Sequence, residues 1–264
     1  MHELPDVEVR RRYFEATSLG QPVARVSVHD ASALEGVTAA ALGRGLRGTR
    51  FVSTARRGKY LLAATDRDST LLLHFGMGGE LVYTRKGEAR PKWSRVEFHF
   101  GGGDRLHYID LRLFGKVALH PTTDLSEIPD IAKLGPEPLD RSFTYKRFEE
   151  AVAGRRTTVH QVLMDQELIA GIGNIFSDEI TYQAGVRPDR PVGDLSAEEM
   201  RRIYDRMKWT LRRAIELDAD LDAHPERFLI PHREKDGVCP RGNARLVRKT
   251  IGARSSYFCP ICQR

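Results

Sequence analysis

Between residues 23 and 117 the apolar positions fall in short β-branched or alternating runs, at 23–28, 59–64, 70–75, 80–84, 96–100 and 105–109. Runs of this length and period predict strands, because successive side chains of an extended chain face opposite sides. Gly76-Met77-Gly78-Gly79 and Gly101-Gly102-Gly103-Asp104 punctuate them as turns. The pattern predicts an antiparallel sandwich or barrel rather than an α/β sheet. On either side the period becomes helical. Pro5 stands where a first helical turn begins, and a helix is expected to reach about Ser18 and end at Gly20. Residues 121–140, with four prolines, read as a connector. Beyond it, Ser196-Ala197-Glu198-Glu199 is a capping-box sequence, and Met200, Ile203, Tyr204, Met207, Leu211 and Ile215 form an apolar stripe that belongs to the core.

Residues 163–180 read as one helix running into the turn Gly171-Ile172-Gly173, with Asn174 as the N-cap of a second helix. The glycines let the backbone come close to another group, and the first N–H groups of the second helix are suited to holding an anion. The stretch is either an ordinary helical hairpin or a phosphate site.

At 264 residues the chain can hold one large domain or two ordinary ones. The formal charge of +6 is concentrated: residues 231–264 carry eight Lys or Arg against two acidic residues, so the first 230 residues balance. A basic end on a neutral body fits a nucleic-acid-binding module, with a solvated basic surface as the alternative. No run of ~18 apolar residues occurs and the N-terminus lacks the apolar core of a signal peptide. The chain is expected to be soluble and cytoplasmic, with no membrane partner.

All three cysteines lie near the C-terminus: Cys239, Cys259 and Cys262. Cys259-Pro260-Ile261-Cys262 is half of a structural zinc site, and Cys239-Pro240-Arg241-Gly242 looks like the other half with one thiolate missing. The sixteen residues between Gly242 and Cys259 suit a hairpin with a knuckle at each base. Three thiolates with His232, Asn243 or water can hold zinc; a hairpin held by packing alone is the other reading.

Taken together, Glu3-Leu4-Pro5-Asp6-Val7-Glu8, Arg57-Gly58-Lys59-Tyr60-Leu61-Leu62, His74-Phe75-Gly76-Met77, Asp110-Leu111-Arg112-Leu113-Phe114-Gly115, the 163–179 stretch and Arg254 through Gln263 resemble the formamidopyrimidine-DNA glycosylase and endonuclease VIII family, in order and over nearly the whole chain. The resemblance implies an α+β protein: an N-terminal β-sandwich catalytic domain (1–125), a linker (126–142), a helix-two-turn-helix DNA-binding domain (143–230) and a basic zinc-finger-like β-hairpin (231–264) holding structural Zn2+ through Cys239, Cys259 and Cys262. It implies a monomeric base-excision repair enzyme, a DNA glycosylase with AP lyase activity, acting on double-stranded DNA with a damaged base or abasic site. Catalysis falls to residue 2, here His2, with Glu3 as general acid or base and Lys59 near a phosphate. Met77, Arg112 and Phe114 match the trio that fills the place of the flipped nucleotide. His74, Trp93, His160, Gly173, Asn174 and Arg254 match DNA contacts.

Four departures stand out. His2 replaces the proline whose amine is the family's nucleophile, His160 replaces a lysine, Trp93 replaces a histidine and Gly242 replaces a zinc thiolate. Either Met1 is removed and the His2 amine forms a Schiff base, or Met1 stays and the imidazole activates water beside Glu3. Weakened strand nicking is expected. The competing class is a non-catalytic binder of damaged or abasic DNA. Residues 217–238 leave no room for the loop with which relatives clamp 8-oxoguanine, so oxidised pyrimidines, ring-opened purines or bulkier adducts are the expected substrates.

Overall fold

The computed structural model describes residues 2–264; the fate of Met1 lies outside them. The chain divides into two units. One holds His2 and residues 6–133, the other Glu3–Pro5 and residues 134–264.

The first unit takes most of helix α1 (Leu4–Ser18), then β1 (Val23–Val28), α2 (Ala39–Leu46), β2 (Phe51–Arg57), β3 (Tyr60–Thr65), β4 (Thr70–His74), β5 (Gly79–Thr84), β6 (Ser94–Phe100), β7 (Arg105–Asp110), β8 (Lys116–His120) and a short helix α3 (Pro129–Ala132). The strands form two antiparallel four-stranded sheets, ordered β1-β6-β7-β5 and β2-β3-β4-β8. Phe51, Leu61, Leu71 and Leu73 from one sheet and Val96, Phe98, Leu106 and Tyr108 from the other share one buried cluster, completed by Val7 and Phe14 of α1. The unit is therefore the expected sandwich. Its strand β4 is buried from Thr70 to Leu73, which explains its unbroken apolar run.

The two strands that the apolar pattern leaves out, β2 and β8, are the edges of their sheet. Edge strands bury less side-chain area, and Phe51 alone is buried in β2, so the alternation is weak there. Lys59 is not in a strand. Arg57 pairs with Tyr60, and Gly58 and Lys59 form the two-residue turn between β2 and β3, with Gly58 at φ 53°.

The second unit contains α4 (Tyr145–Val152), α5 (Val159–Met164), α6 (Asn174–Ala184) and α7 (Ala197–Glu216), followed by the hairpin β9 (Val247–Ile251) and β10 (Arg254–Phe258). The capping box forms as expected, with Ser196 and Glu199 bonded reciprocally. Ile203, Met207 and Leu211 of α7 pack with Phe176 and Ile180 of α6 and with Val162 and Leu163 of α5. Helix α5 is shorter than expected. It stops at Met164, where the Asp165 side chain accepts the Glu167 N–H and so favours a turn over another helical residue. The Gln166 side chain then stitches the turn to Met164 O, Ile172 O and Gly171 N.

Buried Glu179 on α6 accepts from Gln183 Nε2 at 2.6 Å and the Ile230 N–H at 2.8 Å, tying the helix to the segment before the hairpin. Burial pushes its carboxyl from the ordinary 4.5 up to about 7. A raised folded-state pKa stabilises the fold most below the unfolded pKa, and that contribution is lost as pH rises through about 7. E179Q, uncharged throughout, should gain in Tm over the wild type as pH rises from 4.5 to 8; parallel melting profiles across that range would refute this. Among the described residues no helix is long and apolar enough to cross a membrane.

Candidate functional site

The anion at the N-terminus of α6 is the chain's own Glu3. Its Oε2 accepts the N–H groups of Gly173 at 2.6 Å and Phe176 at 3.3 Å, and its Oε1 accepts that of Ile175 at 2.8 Å. Helix dipole and amide donors together stabilise a negative charge there. Gly173 is needed for this approach, since a Cβ on it would lie 2.5 Å from the Glu3 carboxyl carbon. Two expectations are corrected. The N-cap is Gly173, not Asn174, and the N–H groups of Gly173, Ile175 and Phe176 are taken by an internal carboxylate in place of an external anion. Glu3 is 1% exposed, so it is oriented by backbone and not by solvent.

Asn174 is the first residue of α6, and its amide is spoken for on both sides. Its Nδ2 donates to Ser255 O on β10 at 2.8 Å, and its Oδ1 accepts from His160 Nε2 at 3.0 Å. This fixes the proton of His160 on Nε2 and leaves Nδ1 without a partner among the described residues. Burial lowers the His160 pKa, so the imidazole is neutral near pH 7 and is no surface substitute for a lysine ammonium. Asp178, one turn along the same face, accepts Arg233 Nε at 2.7 Å, Ser256 Oγ at 2.5 Å and the Tyr257 N–H at 3.0 Å, and so anchors the hairpin to α6. Sequence reasoning missed Asp178, although its i+4 spacing from Asn174 was available. Arg254 is exposed and lines a cavity of about 430 Å³ with Arg155, Thr157, His160, Gln161 and Asp165. Two guanidinium groups make that cavity suitable for an anion.

In the first unit, the His2 N–H donates to Gly76 O at 3.1 Å, and its ring meets Phe75 edge-on at 6.2 Å between centroids. Its Nδ1 lies 3.6 Å from Asp6 Oδ1, while Nε2 has no hydrogen-bond partner among the described residues. His74 is held down to about 4 by burial and then by Lys116 and Lys59, and is neutral at pH 7. Its ring lies 5.0 Å from Tyr60, and its Nδ1 accepts the Gly76 N–H at 3.4 Å.

Met77 and Phe114, 39% and 53% exposed, project from two loops in contact, since a Cβ on Gly76 would lie 2.4 Å from Phe114 C. Asp110 holds the second loop by accepting the N–H groups of Arg112 at 3.0 Å and Gly115 at 2.7 Å, and the Arg112 guanidinium lies 5.3 Å over the Phe114 ring. The structure thus brings Met77, Arg112 and Phe114 together on exposed turns. Trp93, also exposed, lies 5.5 Å from the Arg95 guanidinium. Arg95 bonds Asp110 O at 2.7 Å and was not singled out in the sequence, where nothing local marks it.

Cys239, Cys259 and Cys262 converge, with all three sulfurs within 4.8 Å of one another. Both knuckles keep their amide-to-sulfur bonds, Gly242 N to Cys239 Sγ and Cys262 N to Cys259 Sγ, each 3.3 Å. The donor set fits a thiophilic divalent metal such as zinc. Burial pushes the Cys239 thiol up, but the Tyr182 hydroxyl and the amides of Gly242 and Arg241 more than offset it and bring it down to about 7. His232 is not in the cluster, because its Nε2 is 2.7 Å from Glu226 O.

Residues 1–117 match the model of the formamidopyrimidine-DNA glycosylase N-terminal domain, and residues 134–223 that of the formamidopyrimidine-DNA glycosylase H2TH domain. The formamidopyrimidine-DNA glycosylase of Pelotomaculum thermopropionicum is 32% identical over 274 residues, covering 100% of this chain and 99% of that protein. That of Dinoroseobacter shibae is 33% identical over 286 residues, covering both chains in full. Among solved structures, the Lactococcus lactis enzyme in complex with DNA containing an abasic site superposes with a TM-score of 0.88 at 27% identity, over 99% of each chain. Its complex with DNA containing Fapy-dG gives 0.86 at 27%, over 99% of this chain. With both domain models matched and full-length relatives above 30% identity, the chain belongs to the formamidopyrimidine-DNA glycosylase family.

Proposed function

We infer that the protein is a DNA repair glycosylase that flips a damaged base out of double-stranded DNA and hydrolyses its N-glycosidic bond, with Glu3 as the acid–base group. The observation that carries this reading is the Glu3 carboxylate, immobilised by three amides at the start of α6 and next in the chain to residue 2. A protein that only gripped DNA would use this carboxylate as a helix cap alone. Family membership and the DNA-bound Lactococcus lactis structures support the substrate class.

In this reading Met77, Arg112 and Phe114 fill the gap left by the everted nucleotide, where apolar and stacking groups offset the cost of unstacking. Arg254 and the second Nδ2 proton of Asn174 hold backbone phosphate, His160 aligns Asn174, and Lys59 and His74 face the strand near the lesion. Cys239, Cys259 and Cys262 hold structural zinc, which ties the two ends of the basic hairpin together and supplies no step of the reaction. His2 offers either a primary α-amine or an imidazole, so base removal is expected to outrun strand nicking.

Duplexes carrying formamidopyrimidine, oxidised-pyrimidine and 8-oxoguanine lesions test the reading, with excision and borohydride-trapped adduct measured on the same samples. Excision with a trapped yield at least tenfold lower is the expected result. Abundant adduct would overturn the weakened nicking. Tight binding to abasic DNA with no excision of any lesion would establish the binder instead.

A further inference from the structure

A tetrahedral site with Zn–S bonds of about 2.3 Å has sulfur–sulfur edges of ~3.8 Å. Cys239 Sγ and Cys262 Sγ are 3.7 Å apart, so these sulfurs already stand at that spacing. The fourth corner belongs to residue 242, and Gly242 has no side chain to give. A Cβ on Gly242 would lie 2.8 Å from Cys262 Sγ and 3.2 Å from Cys259 Sγ, which puts the missing side chain directly on the thiol face.

Among the described residues no further His, Cys, Asp or Glu joins the three thiols, and His232 is engaged with Glu226. The Tyr182 hydroxyl, 3.4 Å from Cys239 Sγ, serves that sulfur as a hydrogen-bond partner, and the Arg241 guanidinium stacks 4.3 Å from the Tyr182 ring. Access remains open on one side: Cys262 is only partly buried and its neighbour Ile261 is 63% exposed.

We propose that the three thiolates hold zinc with a fourth position open on the Gly242 side, occupied by water and exchangeable for a small exogenous thiol. Exchange forms a metal–sulfur bond and releases water, with the thiol proton passing to solvent; no electron is transferred. A thiol-rich milieu then completes an all-sulfur site, and a thiol-poor one leaves the metal accessible to chelators. This rests on the zinc reading above, from which it can be separated.

The test uses the full chain loaded with Co2+, whose absorption reports thiolate number. Titration with 2-mercaptoethanol is expected to raise the thiolate-to-cobalt band of the wild type towards that of G242C, and to leave G242C unchanged. Zinc transfer to a chromophoric chelator should be at least tenfold faster from the wild type than from G242C. Cobalt binding with no response to thiol would overturn the open position while leaving the metal site in place. Failure of the wild type to bind cobalt or zinc, read by native mass spectrometry, would overturn both. Should G242C not fold, the thiol titration of the wild type still decides.

Discussion

Replacing Glu3 with glutamine is expected to lower base excision by ~10²–10⁴-fold, the usual contribution of a positioned acid–base group, while binding to an abasic duplex changes little. The geometry makes this a sharp test. Glutamine has nearly the same shape and keeps one carbonyl oxygen for the amides of Gly173, Ile175 or Phe176. It cannot exchange a proton and it places an NH2 group against an N–H. Hydrogen bonds to a charged group contribute about 1.5–3 kcal/mol each, so E3Q should also melt earlier. Single-turnover excision, gel-shift affinity and Tm measured together separate the two effects. Loss of excision in step with Tm and with DNA affinity would make Glu3 a helix cap and nothing more.

A companion substitution attacks the same carboxylate from the other side. In G173A the added methyl would meet the Glu3 carboxyl carbon at 2.5 Å and its Cγ at 2.7 Å, so the Glu3 side chain is the group that must move. Displacement of Glu3 should reduce excision at least tenfold with the acidic group still present. A G173A enzyme of normal activity would show that the position of Glu3 does not matter.

What the sequence revealed follows from how local each signal is. Interior strands such as β4 and the stripe on α7 carry enough apolar side chains for their period to be read directly. The edge strand β2 does not, with most of its residues in contact with solvent. The Gly171-Ile172-Gly173 turn announced a close approach, but its partner lay 170 residues away in the chain, so phosphate and carboxylate could not be told apart. The cysteine spacing located the thiol cluster, since knuckle geometry is set within four residues. His160 shows the opposite case: its position suggested a surface contact, and only packing against Asn174 and Asp178 shows a buried, neutral ring.

Trp93→Ala is expected to weaken binding to an abasic duplex by ~1–3 kcal/mol, about 5- to 150-fold, the loss that follows removal of one base-stacking platform. The ring is 53% exposed and its residue has φ 61°, a left-handed conformation that a bulky residue rarely adopts without a functional reason. Neighbours enforce it: Trp93 O accepts the Asp110 N–H at 3.1 Å, and Arg95, fixed by Asp110 O and by Asp30 Oδ2 at 3.0 Å, lies against the ring. A rigid aromatic surface flanked by Arg90, Lys92 and Arg95 offers an unpaired base a stacking partner and its phosphates a positive field. W93F should retain most of the affinity, because a ring remains. W93H, with a smaller and more polar ring, should retain less. The salt dependence should be unchanged in all three, since no phosphate contact is removed. In a W209F background Trp93 is the sole tryptophan, and its fluorescence should be quenched on DNA binding. Undiminished affinity in W93A, with no quenching in W209F, would leave the ring as a loop anchor and put the strained backbone down to packing.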